Sequence, residues 1–267
     1  MTRDAAVERV AGRVRELLAT YDPPGFAHVP DPDAAIFLCA VDHRTGYERA
    51  HVVGGDGPFE GSELMWARAL DEARRRPGLL SAAMLLDVTG EEVAAIFAVD
   101  GETVADPERR GGLWRDLAAG LARDYDASAR ALLAAAGGRL GGAGGLLARL
   151  ERFDAFSDPL AKKSQLYAKI CERRGWLEVT DPEHWEVSAD NVLMRLALRC
   201  GLVERGELAE VRAATRAAFK RVAEQAEVAP PLLDDLLWER GRNDPDLLGT
   251  VARDLREPPR DPGSSWY

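Results

Sequence analysis

Apolar residues recur along most of the chain with the spacing of an α-helix. In residues 4–19, Val7, Val10 and Val14 fall on one face, and the segment 21–25 (YDPPG) predicts the end of that helix. Helical spacing and capping signals predict further helices at residues 62–75, 89–99, 106–125, 127–136, 146–153, 159–174, 189–200, 206–226, 230–240 and 244–255. The sequence therefore predicts an all-α fold.

Two stretches near the N-terminus carry a weaker helical signal. The apolar run at residues 34–41 fits either a short strand or a buried helix, and its periodicity does not decide between them. Residues 42–60 are polar and rich in glycine, which predicts a loop.

The composition changes abruptly at residues 137–145, where the sequence reads GGRLGGAGG. We interpret this segment as a junction between two helical lobes with a cleft between them. The predicted N-terminal lobe spans residues 1–140, the C-terminal lobe spans 141–256, and a loose Pro-rich tail spans 257–267. The alternative is a phosphate-cradling loop, although the segment lacks the Lys-Ser/Thr ending and the preceding strand of a P-loop.

The net charge restricts the classes of partner. The 267 residues include 35 Lys and Arg against 45 Asp and Glu, so the chain carries −10 and is not suited to coating nucleic acid indiscriminately. The segment from Arg139 to Arg174 nevertheless holds eight basic residues against four acidic ones. Any contact with DNA is therefore expected at this local basic segment.

Cysteines, histidines and apolar runs exclude several other classes. Three dispersed cysteines are too few for a disulfide framework, and we expect buried thiols in a reducing cytoplasm. No apolar run approaches the ~20 residues of a membrane span, which predicts a soluble, cytoplasmic protein. The four histidines show no metal-ligand spacing, so we expect neither a metal nor another cofactor, and we interpret Asp42-His43 as loop polarity.

The most informative segment is the predicted helix at residues 189–200. Leu193, Leu196 and Cys200 share its apolar face, and Asp190 stands at its N-terminal end, where the helix dipole favours an ionised carboxylate. Taken alone, Asp190 is interpreted as an N-cap and not as a catalytic group.

This helix resembles the catalytic helix of the helix-hairpin-helix DNA glycosylase superfamily, which is written V-D-x-x-V-x-R-V-x-x-R-L-G-L. Asp190, Arg195 and Gly201 match that layout in register. Upstream, Lys162-Lys163-Ser164 resembles the R-K-T step of the superfamily. The resemblance makes Lys163 the counterpart of the lysine that bifunctional members use as nucleophile.

The hairpin that precedes this step departs from the superfamily pattern. The usual glycine-rich hairpin, L-P-G-V-G, is replaced by Asp158-Pro159-Leu160-Ala161, so the hairpin is degenerate and its usual grip on a DNA phosphate is in question. The chain resembles archaeal 8-oxoguanine DNA glycosylases and queuosine salvage N-glycosylases. The resemblance rests on the degenerate hairpin and on a similar order of elements over residues 60–203.

The resemblance implies an enzyme that hydrolyses the bond between a base and its sugar. Cleavage creates positive charge on the sugar, which a carboxylate such as Asp190 would stabilise, while an amine such as Lys163 would attack C1′. The candidate residues for binding the substrate are Gln165, Tyr167, Trp185, Asn191, Trp66 and Asp42. The candidate contacts to a nucleic-acid backbone are Lys162, Lys169, Arg173 and Arg174.

The expected substrate is DNA that carries a damaged or modified base, and the expected enzyme is a monomer, with or without lyase activity. A first alternative is the same bond cleavage on a free modified nucleotide or nucleoside, as in queuosine salvage. A second alternative, from another class, is a helical binding module without catalysis.

Overall fold

A computed structural model of the chain describes residues 3–251, 257–261 and 263–266. The protein is mostly helical, at 54% helix, and the described residues include one small two-stranded sheet, which agrees with the predicted all-α class. The α-helices are α1 (Arg3–Leu18), α2 (Pro32–Ala40), α3 (Gly61–Arg75), α4 (Ala82–Leu85), α5 (Gly90–Ile96), α6 (Pro107–Asp124), α7 (Ala129–Ala136), α8 (Leu146–Leu150), α9 (Lys162–Arg173), α10 (Asn191–Arg199), α11 (Leu208–Ala226) and α12 (Pro230–Gly241). The strands are β1 (His51–Val53) and β2 (Asp56–Phe59), and short 3-10 helices lie at Asp154–Phe156 and Pro182–His184.

The ambiguous apolar run near the N-terminus folds as the helix α2. Asp31 caps it, because its carboxylate accepts a hydrogen bond of 2.8 Å from the amide of Ala34, and Pro32 occupies the first helical position. Every residue of α2 except Asp33 is buried. The helix therefore has no polar face, and its sequence shows no helical alternation of apolar and polar residues.

Two predictions of local structure are wrong in part. The predicted loop at 42–60 contains the antiparallel hairpin of β1 and β2, which is too short to display a period of two in its sequence. Gly54 and Gly55 make its turn with φ of +62° and +93°, a region that favours glycine. Of the predicted helix at 244–255, residues 244–251 form turns, and residues 252–256 lie outside the described part of the chain.

The chain divides into two compact units. We call Met1–Gly25 with Pro182–Ser264 the terminal unit, and Phe26–Asp181 with Ser265–Tyr267 the central unit. The predicted division between residues 140 and 141 therefore falls inside the central unit.

The terminal unit is built from α1, α10, α11 and α12. Helices α1 and α10 each pack against both α11 and α12. Val10 and Val14 of α1 and Phe219 of α11 are fully buried, which places the predicted apolar face of α1 in this core. Gly241, at the end of α12, permits a close approach to α10, since a Cβ there would lie 2.5 Å from Cδ1 of Leu196.

The central unit contains α2 to α9 and the hairpin. Helix α2 packs against α6, α7 and α9, and the Nε1 of Trp114 on α6 donates a hydrogen bond of 2.7 Å to the carbonyl of Phe37. At the C-terminal end of α2, the amides of Val41 and Asp42 satisfy the carbonyls of Leu38 and Cys39, whereas the carbonyls of Phe37 and Ala40 accept from side chains of α6 and α9. The candidate site is built around this end.

The glycine-rich segment folds around an aspartate of the same unit. The carboxylate of Asp181 accepts hydrogen bonds from the amides of Leu140 and Gly141, at 2.7 and 2.9 Å, and the amide of Thr180 donates to the carbonyl of Gly138. These two amides would be needed to cradle a phosphate, and Asp181 already uses them. The segment therefore secures the end of the central unit instead of forming the phosphate loop that the sequence left open.

Three simpler features complete the description. All three cysteines are free and buried, as predicted. Across the described ranges, no helix combines the length and the apolar character that crossing a bilayer requires. In the same part of the chain, no group of three or more His, Cys, Asp and Glu side chains is arranged to hold a metal ion.

Candidate functional site

Lys163 lies in the first turn of α9 and is fully buried. Its Nζ donates a hydrogen bond of 2.6 Å to the carbonyl of Ala40, the last residue of α2, and lies 3.3 Å from Nδ1 of His43. The side chain therefore supplies one of the donors that the buried end of α2 requires.

Arg110 of α6 reaches the same stretch of backbone and is also fully buried. Its Nη2 donates to the carbonyls of His43 and Arg44 at 2.8 and 2.9 Å, and its Nη1 lies 2.7 Å from Nε2 of His43. Within the described residues, the hydrogen bonds of Arg110 and of Lys163 go to carbonyl oxygens and to an imidazole, without a carboxylate.

Lys162 and Asp42 complete this group of side chains. The Nζ of Lys162 donates to the carbonyl of Asp42 at 3.2 Å and lies 3.7 Å from its Oδ2. We call Asp42, His43, Arg110, Lys162 and Lys163 the Lys163 cluster. It holds three basic side chains beside the single carboxylate of Asp42, so positive charge is in excess in a buried place.

This surplus of charge acts on the pKa values of the cluster. Burial lowers the pKa of Lys163 well below its usual value, and the charges of Lys162 and Arg110 lower it further, while Asp42 opposes them. Burial holds the pKa of His43 well below its usual range, and the charges of Arg110 and Lys162 lower it further. Burial also lowers the pKa of Arg110, to about 10. The cluster favours a neutral imidazole and an uncharged lysine.

The degenerate hairpin is held by its own carboxylate. Asp158 accepts hydrogen bonds from the amide of Leu160 at Oδ1 (3.0 Å) and from the amide of Lys162 at Oδ2 (3.1 Å). Ala161 adopts a left-handed conformation, with φ of +51°, just before α9 begins. The carboxylate of Asp158 thus satisfies two backbone amides of the segment that leads into α9.

Asp190 belongs to the terminal unit and is the N-cap of α10. Its Oδ1 accepts hydrogen bonds from the amides of Val192 (2.9 Å) and Leu193 (3.0 Å), and its own backbone is extended. The N-terminus of the helix favours the ionised carboxylate. The N-cap interpretation is correct, and it also fixes the orientation of the carboxylate that the catalytic interpretation needs.

The backbone around Asp190 is tied to the neighbouring helices. The amide of Ser188 donates 2.7 Å to the carboxylate of Asp234 on α12, and Nε of Arg212 on α11 donates 3.2 Å to the carbonyl of Ala189. Among the described residues, the buried Oδ1 of Asn191 finds no hydrogen-bond partner, so this amide keeps an unused acceptor beside Asp190.

The other predicted site residues lie in several places. Gln165, Tyr167 and Lys169 are buried along α9, Trp66 is buried on α3, and Trp185 is buried in the terminal unit.

The two arginines at the end of α9 lie away from Lys163. The guanidinium of Arg173 lies over the ring of Phe26, and that of Arg174 lies over the ring of Trp176. At 1.5 Å per residue, Arg173 and Arg174 stand about 15 Å along the helix from Lys163. Of the predicted site residues, the central unit thus brings together Asp42, Lys162 and Lys163.

Sequence reasoning missed His43 and Arg110 as members of the site. The interpretation of Asp42-His43 as loop polarity is wrong for His43, because its side chain is buried between two basic groups. Arg110 carried a usable signal, since it shares the buried face of α6 with Trp114 and Leu117 at helical spacing. An arginine on an apolar face needs a buried partner.

Comparisons with known proteins add no family. No model of a protein family matches the chain, and no curated protein matches it.

Proposed function

We propose that the protein is an N-glycosylase that cleaves the bond between a modified or damaged base and its sugar, with a two-lobed fold of the helix-hairpin-helix glycosylase type. The observation that carries the proposal is the state of Lys163, a fully buried amine whose pKa is lowered by burial and by neighbouring cations. A nucleophilic lysine needs this environment, because only the neutral amine attacks carbon. The ordered carboxylate of Asp190 gives further support.

The proposed reaction assigns a separate task to each of these two residues. The lone pair of Lys163 Nζ attacks C1′ as the bond from C1′ to the base nitrogen breaks. The base leaves with the electron pair of that bond and takes up a proton, and the attacking amine releases one. The ring oxygen then leaves C1′ with its electron pair and takes up a proton, so that the opened sugar is joined to Nζ as a Schiff base, which borohydride can reduce. Asp190 stabilises the positive charge that builds on the sugar. Lys163 must release the carbonyl of Ala40 to reach the substrate, because its Nζ is occupied there.

Modified DNA is the first proposed substrate. The resemblance of the Asp190 helix and of Lys162-Lys163-Ser164 to DNA glycosylases supports it. The basic residues between Arg139 and Arg174 give less support, because Lys162, Lys163 and Lys169 are buried and only Arg139 and Arg152 are exposed.

A free modified nucleotide or nucleoside is the second candidate, and one contact favours it. Asp158 occupies the amides of Leu160 and Lys162 and adds a negative charge where a DNA phosphate would lie. A small substrate does not require the grip of the hairpin on a strand. The two candidates share the same bond cleavage and differ only in what surrounds the sugar.

The test is a screen for released free base, with duplex DNA and nucleoside monophosphates that carry modified bases. Release from duplex with alkali-labile abasic sites supports the DNA glycosylase, and release from a monophosphate alone supports the second candidate. We expect Asp190→Asn to lower the rate by about 100-fold or more. Binding without release, with affinity unchanged in Asp190→Asn, would indicate the non-catalytic module.

The role of Lys163 is tested separately by borohydride reduction during turnover. Reduction should join the wild-type protein covalently to the sugar, and Lys163→Gln should give no adduct. Lys162→Gln is the matched control, since it removes an adjacent amine and should leave the adduct in place. An adduct that persists in Lys163→Gln would assign the nucleophile to another group. Base release without any adduct would leave water as the attacking group, oriented by Asp190.

A further inference from the structure

His43 lies between two basic side chains that approach its ring from different elements. Nη1 of Arg110 is 2.7 Å from Nε2 and 3.4 Å from Nδ1, and Nζ of Lys163 is 3.3 Å from Nδ1. The side chain of His43 is buried, and the backbone of the same segment accepts from Arg110 as well. Because the ring is buried, water does not replace Arg110 or Lys163 as its neighbour.

The chemistry of these groups limits where protons can be. A guanidinium only donates hydrogen bonds, so the nitrogen that it approaches most closely, Nε2, acts as the acceptor. A neutral imidazole with a lone pair on Nε2 carries its hydrogen on Nδ1. That hydrogen points towards Lys163, and an ammonium group has no lone pair to receive it.

We infer that Arg110 and His43 are positioning residues that hold Lys163 as an uncharged amine in the free protein. In this arrangement His43 Nδ1–H donates to the lone pair of Lys163 Nζ, and Nζ donates one of its own hydrogens to the carbonyl of Ala40. Arg110 fixes the tautomer of the His43 ring by donating to Nε2. The hydrogen on Nδ1 then requires a lone pair on Nζ of Lys163. The use of the amine as a nucleophile rests on the proposed function, whereas its charge state does not.

Among the described residues, the charged groups that act on His43 and Lys163 belong to three elements. Lys162 on α9 and Arg109 and Arg110 on α6 add positive charge, and Asp42 after α2 adds negative charge. The buried thiol of Cys39 on α2 is the remaining titratable neighbour, and burial raises its pKa, so it stays uncharged. Lys162, Arg109 and Arg110 therefore outnumber Asp42 among the charges that act on the pair.

The test reads the protons directly, by ¹⁵N NMR of the wild-type protein without substrate. The expected result is a neutral His43 that carries its hydrogen on Nδ1 and does not titrate between about pH 5 and 8, together with a Lys163 Nζ shift typical of a neutral amine at pH 7. A hydrogen on Nε2, or an ammonium signal for Lys163, would overturn the inference. The measurement uses no variant, so a folding defect cannot obscure it.

The variant Arg110→Gln then tests whether Arg110 acts on the charge state of Lys163 through His43. We expect the pKa of Lys163 to rise, so its Nζ signal should titrate at a higher pH than in the wild type. Once this pKa exceeds about 7, each further unit lowers the neutral fraction at pH 7 about tenfold. Arg123→Gln is the matched control on the same helix, because its side chain is exposed and pairs with Asp124. If the pKa of Lys163, measured by ¹⁵N NMR, were unchanged in a folded Arg110→Gln protein, the role of Arg110 would be refuted. A neutral Lys163 in a protein without base release would reject the proposed function alone, and base release with a charged Lys163 would reject this inference alone.

Discussion

The Nζ atom of Lys163 lies 2.6 Å from the carbonyl oxygen of Ala40, so the candidate nucleophile also caps a buried helix end. A catalytic amine and a structural donor place different demands on the same position. The first needs a lone pair and freedom to move, and the second needs a hydrogen atom held in place. Variants of Lys163 must therefore be compared for stability before their activities are interpreted.

Lys163→Ala should destabilise the protein by about 2–4 kcal/mol, because it leaves a cavity and removes the donor of a buried carbonyl. Lys163→Gln should lose less, since its amide can donate to Ala40. Urea unfolding of both variants measures the difference. If Lys163→Ala were as stable as the wild type, the contact with Ala40 would contribute nothing to the fold.

Asp190→Asn should separate catalysis from capping. Asn caps helices about as well as Asp, so we expect the stability of α10 to change by less than about 0.5 kcal/mol while base release falls sharply. Asp190→Ala should lose the same activity and about 1 kcal/mol of stability, because two amides of α10 lose their acceptor. Thermal unfolding and a base-release assay of both variants supply the measurements. Equal activity in Asp190→Asn and wild type would remove Asp190 from the mechanism.

His43 should make the protein less stable in acid. Its pKa is lowered from 6.5 in the folded state, so below pH 6.5 the unfolded chain takes up a proton that the folded chain does not. The free energy of unfolding should therefore fall by about 1.4 kcal/mol for each pH unit below that point, and be unaffected by His43 above it. Urea unfolding near pH 7, 6 and 5 should show a shallower decline for His43→Gln. Parallel curves for the two proteins would mean that His43 is protonated in the fold.

Local signals in the sequence were sufficient to predict most helices and to identify Asp190 as an N-cap. The capping box of Thr89 and Glu92 and the N-cap Asp190 are both present, because such caps depend on residues within one turn. The apolar run at 34–41 gave no period, since a helix buried on all sides has no polar face to reveal it.

Contacts between distant parts of the chain were beyond sequence reasoning. The Lys163 cluster joins residues just after α2 with residues of α6 and α9, and Lys162 is 120 positions from Asp42 in the chain. The glycine-rich segment looked like a junction because glycines often mark linkers. Its amides instead bind Asp181, about 40 residues further along the chain, and composition contains no information on that pairing.

Asp181→Ala should destabilise the central unit by about 1–2 kcal/mol, because the amides of Leu140 and Gly141 lose a shared acceptor in a partly buried place. Asp181→Asn should lose less, since it retains one carbonyl oxygen. Asp87→Ala is the control, because Asp87 is an exposed aspartate of the same unit and its removal should stay within about 0.5 kcal/mol. Urea unfolding compares the three variants. A loss no larger than that of Asp87→Ala would show that the segment does not depend on its aspartate.

Two glycines of α6 should respond in opposite directions to the same substitution. A Cβ at Gly120 would lie 2.4 Å from Cε1 of Phe153, so Gly120→Ala should cost about 1–3 kcal/mol as the ring is displaced. At Gly112 the nearest atom is the Nη2 of Arg115, at 3.8 Å, so Gly112→Ala meets no obstacle. Alanine restricts the unfolded chain and favours the helix, and Gly112→Ala should therefore stabilise the protein by about 0.5–1 kcal/mol. Thermal and urea unfolding of the two variants should show shifts of opposite sign. A stabilising Gly120→Ala would mean that Phe153 does not pack on α6 at this position.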